Sequence, residues 1–457
     1  MIAGVLAISV VAIPAQTFKV IHSFSGGPDG ASPRARLVLN GSTLYGTTFS
    51  GGTNDCGTVF RANTDGTGYT ILKCFTNTPD GANPAAGLVL SGGTLFGTTC
   101  NGGMNGHGTV FEINTNGTGF AVLKNFAGTN GANPVAGLAL NIDTLYGTTS
   151  AGGSSTGGGN LNDGTVFKIK TNGTEFAVLK NFAGGNGSNP QADLLLSGGT
   201  LYGTTFSGGT NGGGTVFKLQ TTGAGFTIIK TFTIDNSGAA APHGDLILSG
   251  NTLYGTTKFG GISDAGTVFQ VNTDGAGYDE PHDFFVFTWV PIGYFDDGQC
   301  PSAGLVFNGG TLYGTTSAGG TGGGTVFKLN ETDFTVLKYF NFSSSDGSSP
   351  SADLIMDAGT LYGTTAGGGG NGGGVAFSLT FPPQIKLTDD SLGVRTNHFG
   401  FNLSGFSNQV VVIEACTNLV TAQWLPLQTN TFGTNMLYFS DPKWTNYQGR
   451  FYRVRTR

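Results

Sequence analysis

Seven copies of one short phrase, Thr-Leu-(Tyr or Phe)-Gly-Thr-Thr, recur along the 457 residues of this chain. Their central aromatic residues are 51, 50, 56, 52, 59 and 49 residues apart and are Tyr45, Phe96, Tyr146, Tyr202, Tyr254, Tyr313 and Tyr362. A period near fifty residues is typical of stacked or ring-forming units, since a single such unit cannot bury its own apolar faces. The sequence therefore predicts a repeat protein.

Each repeat reads as four short strands. In the second repeat the strand-like segments are 88–90, 94–99, 109–113 and 120–126, separated by Gly and Asn turns. Leu and Tyr, or Val and Phe, stand side by side in these segments, so both faces of each sheet must be covered. This favours the blades of a β-propeller. The glycine after each central aromatic residue is predicted to lie under a ring from the next blade.

The strand count predicts how the chain closes. Fourth strands end in Phe in six repeats, but the seventh repeat stops near Leu379 without one. Residues 18–24, ahead of the first repeat, carry that missing pattern. The predicted fold is therefore an all-β, seven-bladed β-propeller of four antiparallel strands per blade, with the N-terminal strand closing the last blade. An open solenoid is the alternative.

A family resemblance rests on these motifs. Gly-Gly-Thr-Leu-Tyr-Gly-Thr-Thr, followed downstream by Gly-Thr-Val-Phe-Lys, resembles the GloVer-type tandem repeats of secreted bacterial proteins over residues 18–380. The resemblance implies a Kelch-like propeller, export and surface display, with no established shared activity. The copies lack the repeated Trp of ordinary Kelch repeats, because the only three are Trp289, Trp424 and Trp444.

The two ends of the chain differ from the repeats. Residues 2–13 are uncharged and apolar and precede Pro14-Ala15, which predicts a signal peptide over 1–15. No Lys or Arg precedes this run, which indicates a truncated start. The propeller is predicted over 16–381. Residues 384–457 contain short strand-like segments, which predict a small C-terminal β-sandwich. This segment resembles a C-terminal module of secreted proteins of verrucomicrobial type. No later segment is long and apolar enough to span a membrane.

Charge and cysteine content narrow the functional classes. The net charge is −6, the sum of −9 on residues 1–383 and +3 on residues 384–457. An acidic main body argues against nucleic acid as a partner. Four arginines near the C-terminus either touch anionic surface polymers or alternate on a solvated strand face; they are Arg450, Arg453, Arg455 and Arg457. Five cysteines without CxxC spacing argue against a thiolate metal site. Two alternatives are left for the cysteines: a disulfide between Cys56 and Cys100, or unpaired buried cysteines.

One candidate site lies where the blades meet. In a propeller, the residue before each first strand lines the mouth of the central channel, and here these residues are Arg36, Gly87, Gly137, Asp193, Asp245, Gly304 and Asp353. Three carboxylates and a guanidinium suit a cation or a polyhydroxylated ligand, and His243 adds a proton-transfer group. The alternative is a solvated ring of turn residues in which Asp side chains cap backbone amides.

A second candidate is a pair of loop insertions. The third repeat has six extra residues around 154–162, and residues 285–300 form a long connection after the fifth repeat. Aromatic residues of that connection suit stacking on sugar rings or on a partner protein, and they are Phe285, Phe287, Trp289 and Tyr294. Alternatively, this insertion plugs the channel.

No catalytic motif accompanies these sites. HExxH, GxSxG and phosphate-binding signatures are absent, and the five histidines lack ligand spacing, so no cofactor or metal is predicted. The sequence favours a non-catalytic binding or adhesion scaffold, extracellular or at the cell surface, for a carbohydrate or a surface protein. The alternatives are an extracellular polysaccharide-acting enzyme that uses the channel-mouth aspartates and a structural surface-layer component.

Overall fold

The computed structural model describes residues 16–154, 163–234, 238–285, 297–342, 345–386, 391–395, 398–433, 435–447 and 449–456. The predicted signal peptide lies outside these residues. The chain divides into two compact units. The larger comprises Val20–Ile355 and Tyr362–Phe377, and the smaller comprises Met356–Leu361, Ser378–Arg457 and the segment up to Lys19.

Seven antiparallel sheets follow the seven repeats. Their first strands are three residues long and begin one residue later than predicted, at Val38–Asn40, Val89–Ser91, Ala139–Asn141, Leu195–Ser197, Ile247–Ser249, Val306–Asn308 and Ile355–Asp357. The second strands contain the repeated phrase, at Thr43–Thr48, Thr94–Thr99, Thr144–Thr149, Thr200–Thr205, Thr252–Gly260, Thr311–Thr316 and Thr360–Thr365.

The third strands pair with the second strands in every sheet. They are Thr58–Asn63, Thr109–Asn114, Thr165–Lys170, Gly212–Gln220, Thr267–Asn272, Thr325–Leu329 and Val375–Thr380. The fourth strands of the first six sheets are Thr70–Cys74, Ala121–Asn125, Ala177–Asn181, Thr227–Thr233, Asp279–Asp283 and Phe334–Tyr339. Ala239–Pro242 adds a fifth strand to the fifth sheet, which the sequence did not predict.

The seventh sheet takes its fourth strand from the beginning of the chain. Thr17–Ser23 lies beside Val375–Thr380 in that sheet. Immediately after it, Phe24 donates its amide to the Gly374 carbonyl at 2.9 Å and accepts from the Gly373 amide at 3.2 Å. The strand that completes the last repeat is therefore the one expected from the sequence.

Apolar cores lie between successive sheets. Tyr45 and Phe75 of the first sheet pack with Leu95 and Phe111 of the second, and equivalent residues fill the next four junctions. Phe24 and Tyr362 of the seventh sheet pack with Leu44 and Phe60 of the first. Side-by-side apolar residues in each strand thus cover both faces, as the sequence pattern required.

The glycine after each central aromatic residue is covered differently from the prediction. A Cβ atom at Gly46 would lie 2.6 Å from the ring of Phe60 and 2.8 Å from Leu37. Phe60 is the cross-strand partner of Gly46 in the same sheet. The prediction of a ring from the next repeat was wrong, because the antiparallel register places the repeat's own Phe over the bare backbone.

Two further sheets follow the repeats. One contains Gln384–Ile385, Gly393–Arg395, His398–Ser404 and Met436–Asp441, and the other contains Leu425–Thr431, Val410–Cys416 and Phe451–Thr456. One core of buried residues joins them, including Phe401, Leu403 and Ile413. Two short 3-10 turns, Gly184–Asn186 and Trp444–Asn446, complete the regular structure of the described residues.

Candidate functional site

The segments that precede the seven first strands meet around one cavity of about 90 Å³, here called the hub cavity. Every repeat contributes to its wall. Arg36, Asp193, His243, Asp245 and Asp353 all line it. The structure therefore brings together the five predicted residues that come from four different repeats.

Each hub aspartate accepts a hydrogen bond from the backbone of the preceding repeat. Asp193 accepts from the Gly137 amide. Asp245 accepts from the Asp193 amide at 2.7 Å, and Asp353 accepts from the Gly304 amide at 2.5 Å. Gly137 leaves room for this approach, since a Cβ atom there would lie 2.7 Å from the Asp193 carboxylate. The side chains thus link neighbouring loops.

The other four junctions use a threonine for the same purpose. Thr47 donates its hydroxyl to the Ala86 carbonyl at 3.1 Å, and Thr98 donates to the Ala136 carbonyl at 2.9 Å. Thr256 and Thr364 donate in the same way to Ala303 and Ala35. The equivalent hydroxyls at the three aspartate junctions are buried without a hydrogen-bond partner among the described residues, and these belong to Thr148, Thr204 and Thr315. At each junction this hydrogen bond is therefore made either by a Thr hydroxyl or by an Asp carboxylate.

The hub cavity is electrostatically uneven. Arg36 lies 3.7 Å from Asp193, and the Asp245 and Asp353 side chains share a hydrogen bond. Burial, together with the nearby Asp193 and Asp353 charges, holds the pKa of Asp245 well above its usual value. Burial also raises the pKa of Asp193, although Arg36 opposes this. Burial lowers the pKa of Arg36, but the three carboxylates outweigh it and raise that pKa overall.

His243 is held in one tautomer. Its Nδ1 lies 2.7 Å from the Ser302 carbonyl, which only accepts, so the ring proton is on Nδ1. Burial lowers the pKa of His243, against the opposing effect of that hydrogen bond. The imidazole is therefore neutral at pH 7 and serves as a fixed hydrogen-bond donor to the loop of the sixth repeat.

Sequence reasoning missed the residues that follow each Thr-Thr pair. They are Phe49, Cys100, Ser150, Phe206, Lys258, Ser317 and Ala366, in an otherwise constant phrase. Two of them contact hub-lining residues: the Arg34 guanidinium lies 4.4 Å from the Phe49 ring centre, and the Phe206 ring lies 5.9 Å from His243. The variation at one position of a constant repeat was the available signal.

The long connection after the fifth repeat is only partly described. Phe285 is 38% exposed and donates its amide to Asp297 at 3.1 Å. Asp297 also lies 2.9 Å from Nε2 of His282, whose ring stacks on Phe334 at 3.8 Å. Phe287, Trp289 and Tyr294 lie outside the described residues, so their role in binding stays a prediction.

All five cysteines are free thiols, so no disulfide joins Cys56 to Cys100. The Cys56 thiol donates to the Asn54 carbonyl at 3.2 Å, and the Cys100 thiol donates to the Asn83 carbonyl at 3.0 Å. Similar loop positions in neighbouring repeats do not bring the two sulfur atoms together here, because each is engaged with a different backbone carbonyl.

The C-terminal arginines are paired with carboxylates. Arg453 and Arg455 donate to Glu414 at 2.7 and 2.9 Å, and Arg450 lies 3.2 Å from Asp441. Burial raises the pKa of Glu414, but the two guanidinium partners outweigh it and lower that pKa overall. These pairs favour the structural interpretation of the basic cluster; Arg457 lies outside the described residues.

Within the described ranges, no group of three or more His, Cys, Asp or Glu side chains has the arrangement to hold a metal ion. No helix in that part of the chain has the length and apolarity needed to cross a membrane.

Several solved structures resemble the chain at low identity. PorZ, a bacterial surface component of the type-IX secretion system of Porphyromonas gingivalis, is 14% identical, with 92% of this chain and 58% of PorZ covered and a TM-score of 0.44. The tricorn protease is 13% identical over 87% of this chain and 35% of the protease, with a TM-score of 0.39. The WD40 domain of Neurospora crassa Pan2 is 12% identical over 82% and 99%, with a TM-score of 0.47. This chain thus spans less than two thirds of PorZ and of the protease.

No functionally curated protein matches the sequence. A family model does match, described as the Gloeobacter/Verrucomicrobia repeat, at residues 7–161, 153–288 and 237–388. Together these matches cover most of the 457 residues and all seven copies of the repeated phrase. The chain therefore belongs to the Gloeobacter/Verrucomicrobia repeat family.

Proposed function

We propose that this protein is an exported, seven-bladed β-propeller with a C-terminal β-sandwich, and that it acts as a non-catalytic binding scaffold at the cell surface. The seven sheets, the cores between successive sheets and the convergence of seven segments on one cavity support the propeller. The two-sheet core of residues 384–456 supports the sandwich. The ligand is a carbohydrate or a surface protein.

One observation carries the functional part of this proposal. The repeated phrase is constant, whereas the residue that follows its Thr-Thr pair, beside the hub, varies from repeat to repeat. A side chain links neighbouring loops at all seven junctions, whereas the residue after Thr-Thr changes from Phe to Cys, Ser, Lys or Ala. Rigid frameworks with variable loop residues are typical of recognition surfaces. The surface role is therefore assigned to the face that carries these residues.

The hub geometry argues against the enzyme alternative. The three aspartates accept hydrogen bonds from backbone amides, so their carboxylates have a structural role. A cavity of about 90 Å³ is also far smaller than the ~300–1,000 Å³ of usual ligand pockets. A glycosidase needs two placed carboxyl groups beside space for a sugar ring, and the hub cavity lacks that space.

The test combines binding with product analysis. The purified full chain is applied to a glycan array, and the bound glycans are then incubated with protein and assayed for new reducing ends. We expect binding without product release, and binding that is unchanged in Asp245→Asn. Product release that disappears in Asp245→Asn would establish the enzyme instead. Ordered self-assembly without binding to glycans or to extracted surface proteins would favour the structural component.

A further inference from the structure

A groove of about 780 Å³ crosses the loops of the second, third and fourth repeats. We call it the asparagine groove and define it by His107, Thr129, Asn133, Ser150, Asn189 and Ser207. Its volume lies within the ~300–1,000 Å³ range of small-molecule sites. It is separate from the hub cavity, with which it shares no lining residue.

The wall of the asparagine groove carries no formal charge when His107 is neutral. None of its lining residues is Lys, Arg, Asp or Glu, and the remaining wall is Gly, Ala and Ser. An anionic ligand would find no cation there, and a cationic ligand would find no carboxylate. The groove therefore suits a neutral ligand that is rich in hydrogen-bonding groups.

Two carboxamides on this wall are free for a ligand. Asn133 and Asn189 both precede a proline and have positive φ, at 53° and 57°. Their backbone groups are bonded, but their side-chain amides have no hydrogen-bond partner among the residues that the structure describes. The Thr129 hydroxyl and the His107 imidazole are likewise unpaired within that part of the chain.

The second repeat provides the comparison. Asn83 occupies the equivalent position before Pro84, with φ of 58°. Its amide nitrogen donates to the Phe49 carbonyl at 2.9 Å, and its oxygen accepts from Asn101 at 3.1 Å. The loop conformation therefore does not require a free side chain. The side chain is hydrogen-bonded within the protein in the second repeat and left open in the third and fourth repeats.

We infer that the asparagine groove binds a neutral oligosaccharide. A carboxamide supplies one acceptor and two donors, which matches adjacent sugar hydroxyls that both donate and accept. Asn133, Asn189 and Thr129 supply such groups from two repeats, with small residues between them leaving room for a sugar ring. This inference rests on the proposed function as a binding scaffold, and it names the ligand class and the place.

The experiment uses the full chain and an array of neutral tetrasaccharides of glucose, mannose and galactose, together with sulfated and uronic-acid glycans. Asn133→Gly, Asn189→Gly and the double variant are compared with Asn83→Gly as the matched control, because glycine keeps the positive φ. Thermal unfolding verifies that all four variants fold. Affinity for the neutral glycan bound by the wild type is then measured by calorimetry.

We expect each groove variant to weaken binding about 3- to 10-fold, the loss of one or two neutral hydrogen bonds, and the double variant more. Asn83→Gly should bind like the wild type. Neutral-glycan binding that is equal in all variants would overturn the groove assignment and leave the proposed scaffold function standing. Preference for sulfated or uronic-acid glycans would also overturn it. A wild type that binds no glycan would overturn the groove assignment and leave only the surface-protein ligand for the scaffold.

Discussion

At the scale of the residue, the hub aspartates hydrogen-bond neighbouring loops, but their buried negative charges destabilise the fold. Asp245 accepts the Asp193 amide, yet its charged form is disfavoured by burial and by the carboxylates of Asp193 and Asp353. Arg36 is the one guanidinium acting on all three. An uncharged acceptor of the same shape would keep the link and remove the repulsion.

We therefore predict that Asp245→Asn stabilises the protein at neutral pH. The pKa of Asp245 is higher in the folded than in the unfolded chain, so its ionisation removes stability as the pH rises from about 3.8 through the folded pKa. The variant should match the wild type below that window and exceed it above. Thermal unfolding between pH 3.5 and 8 measures this difference. A Tm difference that does not change with pH would contradict the prediction.

The junction threonines give a second residue-scale prediction. Thr98 is bonded to the Ala136 carbonyl, whereas Thr148, its equivalent one repeat later, is buried and has no hydrogen-bond partner in the part of the chain that the structure describes. Thr98→Val should lower the free energy of unfolding by about 1–2 kcal/mol, because it leaves a buried carbonyl unpaired. Thr148→Val should be within about 0.5 kcal/mol of the wild type, or more stable. Urea denaturation of both variants tests the pair, and equal losses would refute the assignment of two kinds of link.

At the scale of the element, the fourth strand of each of the first four repeats contacts the next repeat through a lysine over an aromatic ring. Lys73 lies 4.3 Å from the Phe120 ring centre and Lys124 lies 4.0 Å from that of Phe176. In Thr17–Ser23 the corresponding contact is His22 stacked on Tyr69 at 3.6 Å. The strand from the beginning of the chain therefore makes the same kind of contact as the strands inside the repeats.

The elements were predictable where they depend on the repeated pattern. Strand type, order and the segment that completes the seventh sheet followed from β-branched and aromatic runs between Gly turns, because the same pattern occurs seven times. Strand register did not follow, and this is why the ring over Gly46 was assigned to the wrong repeat. The extra strand Ala239–Pro242 was also missed, since its run of alanines carries no strand signal.

The candidate site was predictable only in part for a related reason. A residue before each first strand could be counted in the sequence, so Arg36, Asp193, Asp245 and Asp353 were found to share a cavity. Their hydrogen-bond partners could not be predicted, because a backbone amide such as that of Gly137 has no sequence signature. The open side-chain amides of Asn133 and Asn189 could not be predicted either. Asn83 also precedes a proline, yet its side-chain amide is hydrogen-bonded within the protein.

At the scale of the whole molecule, the contact between the seventh and first repeats should be as important as any internal junction. Phe24 is fully buried, and its ring centre lies 5.2 Å from that of Phe60 in the first sheet. Phe126 occupies the equivalent place in the second repeat, 5.1 Å from Phe167 in the third. The two rings have the same environment, although one belongs to the segment before the repeats.

We predict that Phe24→Ala and Phe126→Ala each lower the free energy of unfolding by about 3–5 kcal/mol, the usual cost of deleting a buried Phe ring. The two variants should also unfold in single transitions at similar urea concentrations, because each removes one of seven equivalent junctions. Denaturation followed by aromatic fluorescence and by circular dichroism measures both quantities. The contradicting outcome is a loss below about 1 kcal/mol for Phe24→Ala beside the expected loss for Phe126→Ala. The N-terminal strand would then contribute little to the stability of the fold. The proposed closed propeller would have to be replaced by an open array whose last sheet has three strands.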